Sequence, residues 1–306
     1  MIAGLDAYNG GFLADLATIE TNIGRENQQI SSGVRVDQPS DDPGAINVIL
    51  EYQSSLDQIT QEQSNLSQAT TDATAADGAL QSASSLMDQL ISLGSEAANT
   101  SATASTRSSI AEQVQGIESQ TVSLANTTVQ GRFIFGGDDP QTQPYTFDWT
   151  SPEGVIQNST PANTVTLQNV QGSSIIPRIT AQQIFDARNP DGTPAPGNVF
   201  NAIYSLGQAL QNNDQPGIES ALTSLKSAVV QLGQASSFYG NVENWIQQSQ
   251  QDATAEGTNL QQALSNLKDT DIAAVATQMT TDQTALQAAL AAHGSLTVRS
   301  LFSYLG

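Results

Sequence analysis

The stretch 217–268, GIESALTSLKSAVVQLGQASSFYGNVENWIQQSQQDATAEGTNLQQALSNLK, sets Ile218, Leu225, Leu232, Tyr239, Ile246, Ala253, Leu260 and Leu267 seven residues apart without a break. Eight consecutive positions in that register form the seam of a long helix that packs on other helices. At about 1.5 Å per residue such a helix runs roughly 80 Å, far more than a small globular core needs. Gly233, Gly240 and Gly257 each weaken it by about 1 kcal/mol relative to alanine, so packing has to compensate. Leu206 and Leu210 predict a shorter helix just before it, ending near Asn212-Asn213.

The same register recurs upstream. Ile59, Leu66, Ala73, Leu80 and Met87 repeat every seven residues, and Ala69, Ala76, Ala83, Leu90 and Ala97 follow three residues behind. Alanine alternating with larger residues in an a/d seam lets helices approach closely, which suits a bundle with several neighbours. A polar run from Asn99 to Ser105 predicts a turn, after which Ile110, Val114, Ile117, Thr121 and Leu124 resume the pattern. The two segments are expected to fold back on one another as antiparallel helices.

Proline marks off what is not helical. Eight of the eleven prolines lie from Pro140 to Pro196, none between Pro43 and Pro140, and none after Pro216. Within that dense stretch Tyr145, Phe147 and Trp149 alternate with other residues, and Val165, Leu167 and Ile175-Ile176 follow among Gly, Asn and Pro. Alternation bounded by turn residues reads as short strands. The fold class is therefore mainly α: an elongated bundle of long heptad helices built by the N- and C-terminal arms, with a small β-rich insert at 139–196. The bundle takes 46–138 plus 197–269.

The two ends, 1–45 plus 270–306, form a third zone. Leu13, Leu16, Ile19, Ile23 and Ile30 make a thin apolar stripe near one terminus, and Ile272, Val275, Met279, Leu286 and Leu290 make another near the other. An isolated amphipathic helix is marginal in water. The stripes are thus expected to pair with each other or with neighbouring subunits, and to form the assembly interface.

Composition excludes several functions. The chain carries nine basic against thirty acidic residues, a net charge of -21, which argues against nucleic acid or an anionic membrane as partner. It has no cysteine and one histidine, so thiolate chemistry and imidazole-rich metal sites are absent. No Gly-rich phosphate loop or nucleophile elbow occurs, and neither a catalytic residue, a metal site nor a cofactor is expected. Asp41-Asp42 before Pro43 reads as a turn and helix start, with carboxylates accepting backbone N–H groups, because two adjacent carboxylates are too few ligands for calcium. His293 reads as an ordinary surface residue, and Tyr239, on the ladder, as core. The first ten residues have no basic region or apolar run of a cleaved secretory signal, and no stretch approaches the length of a membrane span.

Three stretches carry a family resemblance. Ser31-Ser32-Gly33-Val34-Arg35-Val36, followed by Gln38-Pro39-Ser40-Asp41-Asp42-Pro43-Gly44-Ala45, resembles a signature of bacterial flagellar axial proteins, the flagellins and hook-associated proteins. Leu124-Ala125-Asn126-Thr127-Thr128, then Gly131-Arg132-Phe133-Ile134-Phe135-Gly136-Gly137, is similar to the end of the N-terminal helical part in the hook–filament junction family. A third match runs from Asp271-Ile272-Ala273 through Gln283–Ala288 to Ser300–Leu305. The motif residues are Gly33, Arg35, Pro39, Asp41, Asp42, Pro43, Gly131, Arg132, Phe133 and Phe135. Val34 stands where the family often has lysine, and Met1–Asp6 lacks the usual opening.

The resemblance implies a structural subunit of the flagellum. It implies export through the flagellar channel without a cleaved signal, and hence an extracellular address. It implies terminal helices that are disordered in the monomer and form a coiled coil in the axial polymer. The implied partners are further copies of the chain in a ring, flagellin, the neighbouring hook-associated junction protein and an export chaperone on the C-terminal region. A flagellin that builds the filament itself is the alternative within the family, and a soluble coiled-coil binding module is the reading from another class.

Overall fold

The computed structural model describes the backbone of residues 2–302 and the side chains of 9–294. The motif residues at 1–6 and 300–305 lie outside the described side chains. Seven α-helices are present among the described residues: α1 (Ile2–Ser32), α2 (Ala45–Ala97), α3 (Ala104–Ala125), α4 (Ala181–Phe185), α5 (Val199–Gln211), α6 (Gln215–Lys268) and α7 (Ile272–Phe302). Three two-stranded antiparallel ribbons accompany them: β1 (Thr128–Val129) with β2 (Arg132–Phe133), β3 (Tyr145–Phe147) with β4 (Val155–Gln157), and β5 (Leu167–Gln168) with β6 (Ser174–Ile175). The mainly helical class with a small β-rich region is as the periodicities predict. The strands are shorter than the aromatic alternation suggests, and β1–β2 precedes the proline-dense stretch.

The chain divides into two compact units. One holds the residues up to Gln58 and those from Glu256 onward, and the other is Ile59–Ala255. Both boundaries fall inside long helices, α2 and α6.

In the unit Ile59–Ala255 the heptad seams are the core. Leu66, Leu80, Ala83, Met87, Leu90 and Ala97 on α2 are buried, as are Ile218, Leu225, Leu232, Tyr239, Ile246 and Ala253 on α6. The two helices run antiparallel: the Ser236 hydroxyl donates to Asp77 at 2.8 Å, and Leu222 lies against Gly94. Past Ala253 the ladder loses its cover, and Leu260 and Leu267 are half-buried.

The helix α3 comes closest to α5, and at its start Arg107 donates to the Ala97 carbonyl at the end of α2 at 2.9 Å. Small residues on α5 allow this approach: Val114 of α3 sits against Gly207, and Ala202 and Ala209 are buried nearby. Side chains cap the starts of the short helices. The Thr103 hydroxyl accepts from the Thr106 amide, the Asn198 side chain from the Asn201 amide, and Thr180 and Gln183 form a reciprocal capping box. The ribbons are fastened to the helices by polar contacts. Asn169 donates to Ser249 at 3.3 Å, and Arg178 meets Asp72 at 2.6 Å.

Among the described residues every buried apolar side chain except Val36 and Ile49 lies in Ile59–Ala255. Burial of apolar surface is the main source of stability, so this unit is expected to hold its fold without the ends. Deleting residues 1–35 and 270–306 is expected to leave one cooperative melting transition, displaced by less than about 4 °C. Circular dichroism melting of the truncated chain checks this, and global unfolding would place the ends inside the core.

Candidate assembly surface

The helices α1 and α7 lie antiparallel within their unit. Asn9 Oδ1 is 3.3 Å from His293 Nε2, the Phe12 ring stacks on the His293 ring at 4.2 Å, and the Thr270 amide donates to the Gly33 carbonyl at 2.9 Å. His293 is thus half-buried in a helix–helix seam, which corrects its reading as an ordinary surface residue. No local pattern signals this, because Asn9 and Phe12 stand at the opposite end of the chain.

The apolar stripes are only partly covered by this pairing. Leu16, Ile19, Ile23, Ile30, Val275, Met279 and Leu286 are half-buried, while Leu13, Ile272 and Leu290 are 62%, 53% and 52% exposed. Among the described residues of α1 and α7 the one buried side chain is Glu26, at 5% exposure. Two helices alone have one strip of contact each, and here that strip makes no dry core.

The connection after α1 clamps the base of the pair. Gly33 ends α1 with its amide on the Gln29 carbonyl and a φ of +71°, a left-handed conformation that glycine takes without strain. The amides of Arg35 and Val36 both donate to the Lys268 carbonyl, at 2.7 and 3.3 Å, and Val34 bridges to Asp269. The Arg35 guanidinium donates to the Leu267 carbonyl at 2.6 Å and meets Asp42 at 3.3 Å. The ion pair is exposed and adds little. Arg35 acts mainly as a cap on the last carbonyls of α6, where a cation also suits the helix dipole. Val36, which no periodic stripe includes, is buried beneath this clamp.

The two aspartates organise the turn into α2. Asp41 accepts the amides of Asp37 and Gln38, at 3.0 and 2.8 Å, and the Gln38 bond first and the Asp37 bond second hold its pKa below the usual value. Asp42 accepts the amides of Gly44 and Ala45, at 3.2 and 3.1 Å, and the Ala45 amide, then Arg35, lower its pKa. Pro39 and Pro43 occupy turn positions beside them, where no amide hydrogen is needed. The arrangement is an N-terminal cap, with Asp41 Oδ2 and Asp42 Oδ1 committed to backbone amides and Asp42 Oδ2 to Arg35.

The second group of motif residues lies in the other unit and has a different task. Gln130 and Gly131, with φ of 52° and 75°, form the tight turn between β1 and β2. Arg132 reaches Asp72 at 3.5 Å, the same carboxylate that Arg178 holds. Phe133 is half-buried, whereas Phe135 is fully buried, edge-on to Phe185 and Tyr239 at 5.9 and 6.3 Å. Tyr239 also accepts the Ile179 amide at 3.5 Å. This motif locks the ribbon and α4 to α2 and α6.

No helix among the described residues is long and apolar enough to cross a membrane. The family described as the bacterial flagellin N-terminal helical region matches residues 13–139, and its C-terminal counterpart matches residues 221–305. Flagellar hook-associated protein 3 of Escherichia coli (strain K12) is 27% identical over 303 residues, covering 90% of each chain. Its namesake from Salmonella typhimurium is 28% identical over 313 residues, again covering 90% of each. The solved structure of flagellar hook associated protein-3 from Legionella pneumophila superposes with a TM-score of 0.62 at 13% identity, over 72% of this chain and 98% of that one, which shows a shared fold. The two flagellin regions together take in both helical arms and most of the sequence, and the chain belongs to the bacterial flagellin family.

Proposed function

We propose that this chain is a structural subunit of the bacterial flagellum, forming the junction between hook and filament and polymerising through α1 and α7. One observation carries the reading of the interface: the terminal pair leaves its apolar stripes half-covered and Leu13, Ile272 and Leu290 exposed. Exposed apolar surface of this extent on paired helices favours burial against further copies. The full-length likeness to two hook-associated proteins supports the junction over the filament. The working divisions are terminal helices for assembly (1–45 with 270–306), a long-helix bundle (46–138 with 197–269) and the 139–196 insert.

In this reading the subunit passes unfolded through the flagellar export channel without a cleaved signal and works outside the cell. An export chaperone holds its C-terminal region beforehand, and the pairing of the termini becomes fixed in the polymer. The role is mechanical, not enzymatic, and the partners are further copies of itself, flagellin and the neighbouring hook-associated protein.

The test is addition of purified protein to isolated hook ends, followed by flagellin, viewed by electron microscopy. A short added segment that supports filament growth is the expected result, whereas long filaments of this protein alone would make it a filament subunit. The double variant Leu286→Asp, Leu290→Asp is expected to abolish addition. Burying a carboxylate in an apolar contact costs several kcal/mol per site, and the melting of Ile59–Ala255 should remain as in the unaltered chain.

A further inference from the structure

Among the described residues of the terminal pair the buried polar side chain is Glu26. It is 5% exposed, and its Oε2 has no hydrogen-bond partner. Asp282 faces it from α7, so two carboxyl groups meet across the seam. Glu26 also lines a cleft of about 310 Å³ bounded by α1, the connection after it and α7.

The neighbouring charges are already committed. Arg25, on α1, donates to Asn22 at 3.3 Å. Arg35, on the connection, holds Leu267 and Asp42, and Asp41 there accepts the amides of Asp37 and Gln38. On α7, Gln278 donates to Asp282 Oδ1 at 3.1 Å. Thus no cation in the cleft makes a direct bond to Glu26, and Arg25 offsets its charge only in part.

We infer that Glu26 and Asp282 form a proton-controlled clasp that sets the register of α1 on α7. With one proton between them, a carboxyl donates to a carboxylate and the helices lock. With none, like charges oppose in a poorly solvated seam and the pairing loosens. A polar residue at a single seam position is a recognised way to specify register at some cost in stability. Here a slip of one turn would set Glu26 against Ala285 and Leu286 in one direction and against Gln278 and Met279 in the other, in neither case against a second carboxyl. The clasp rests on the reading of α1 and α7 as the assembly pair.

Burial first, and Asp282 second, hold the Glu26 carboxyl above its usual 4.5. The paired state therefore binds the proton more tightly than the separated helices do. Pairing is at full strength below pH 4.5 and is lost as the pH rises through the elevated value.

The test uses the full chain, which has no cysteine of its own. Nitroxide labels on Ala17→Cys and Ala288→Cys, both exposed positions on the two helices, report pairing through dipolar broadening at room temperature. Between about pH 7.5 and pH 5 the paired fraction is expected to rise about threefold or more. In the Glu26→Gln, Asp282→Asn background it should be the same at both values. Any response that survives there belongs to another group, such as His293, and overturns the proposal, as does an unaltered chain indifferent to pH. Hook-end addition is scored beside it. If broadening follows the two carboxyls but no addition occurs, the assembly reading falls and the clasp stands. If addition occurs with pH-independent broadening, the clasp alone falls.

Discussion

Replacing Asp186 by alanine is expected to destabilise the unit Ile59–Ala255 by about 3–5 kcal/mol, the cost of stripping a partner from a buried ionic network. Asp186 is fully buried where α4 ends. Its Oδ2 accepts the Tyr145 hydroxyl at 3.0 Å and Arg188 at 3.1 Å, and its Oδ1 accepts Asn198 at 2.7 Å and Arg188 at 2.9 Å. Each of those donors holds another element. Tyr145 begins β3 and packs on Phe200 of α5 at 5.0 Å, Asn198 caps α5, and Arg188 reaches Glu153 in the turn between β3 and β4 at 2.9 Å. One carboxylate therefore joins β3, the β3–β4 turn, α4 and α5. Removing it strips the buried Tyr145 hydroxyl of its acceptor, leaves Asn198 only the Ala187 carbonyl, and leaves the half-exposed Arg188 only Glu153 and the Gly192 carbonyl.

The comparison with Tyr145→Phe makes the test specific. That change deletes one donor and leaves Asp186 its other bonds, so about 1 kcal/mol is expected. Urea denaturation of the three proteins, followed by circular dichroism, gives the difference directly. An Asp186→Ala loss no larger than that of Tyr145→Phe would show that the network adds little.

The second large effect is a dependence on pH with its source in one residue. Glu118 on α3 is fully buried, and neither carboxyl oxygen has a hydrogen-bond partner. The Gly154 backbone lies directly against it, so a side chain at 154 would collide with the carboxyl. Burial pushes the pKa from 4.5 up to about 9. The folded protein keeps a proton that the unfolded chain releases above pH 4.5. Stability is therefore undiminished below that value, declines by about 1.4 kcal/mol per pH unit as the pH climbs from 4.5 toward 9, and levels off beyond.

At pH 7 the accumulated cost is about 3 kcal/mol. Glu118→Gln keeps the size and cannot ionise, so its stability relative to the unaltered chain should rise steadily across that window. The slope of the difference is the diagnostic, because the amide brings its own unmet donors and shifts the curve at every pH alike. Denaturation at pH 5, 7 and 9 supplies it. Parallel curves for the two proteins would mean that Glu118 finds solvent or a donor in solution.

These two sites also mark where sequence reading stopped. The long helices, their seams and the turn after α2 were legible because a period of seven over eight positions has few explanations besides helix packing. The aspartate turn at 41–42 was equally plain, since short carboxylates before a helix satisfy its free amides. Glu118 occupies a seam-adjacent position on a Ser- and Gln-rich helix, where a glutamate would pass as a solvated face. Asp186 looks like any loop acid. Their burial arises when the β3–β4 turn closes over α3 and α5, an event with no local period.

The same division holds at the candidate assembly surface. The stripes on α1 and α7 can be read from spacing, but spacing is silent about which residues face each other. The meetings of Phe12 with His293, of Glu26 with Asp282 and of Arg35 with the end of α6 join positions from opposite ends of the chain. By itself the sequence determined the helices, their apolar faces, the caps and the absence of thiol chemistry, because all of these depend on neighbours within a turn or two. The tertiary structure alone decided that α3 sits on α5, that a glutamate is the buried residue of the terminal pair, and that two carboxyls on separate helices share one seam. Those outcomes depend on which surfaces come together, and a contact between distant segments is selected by the shape and size of whole faces, which no short window of residues encodes.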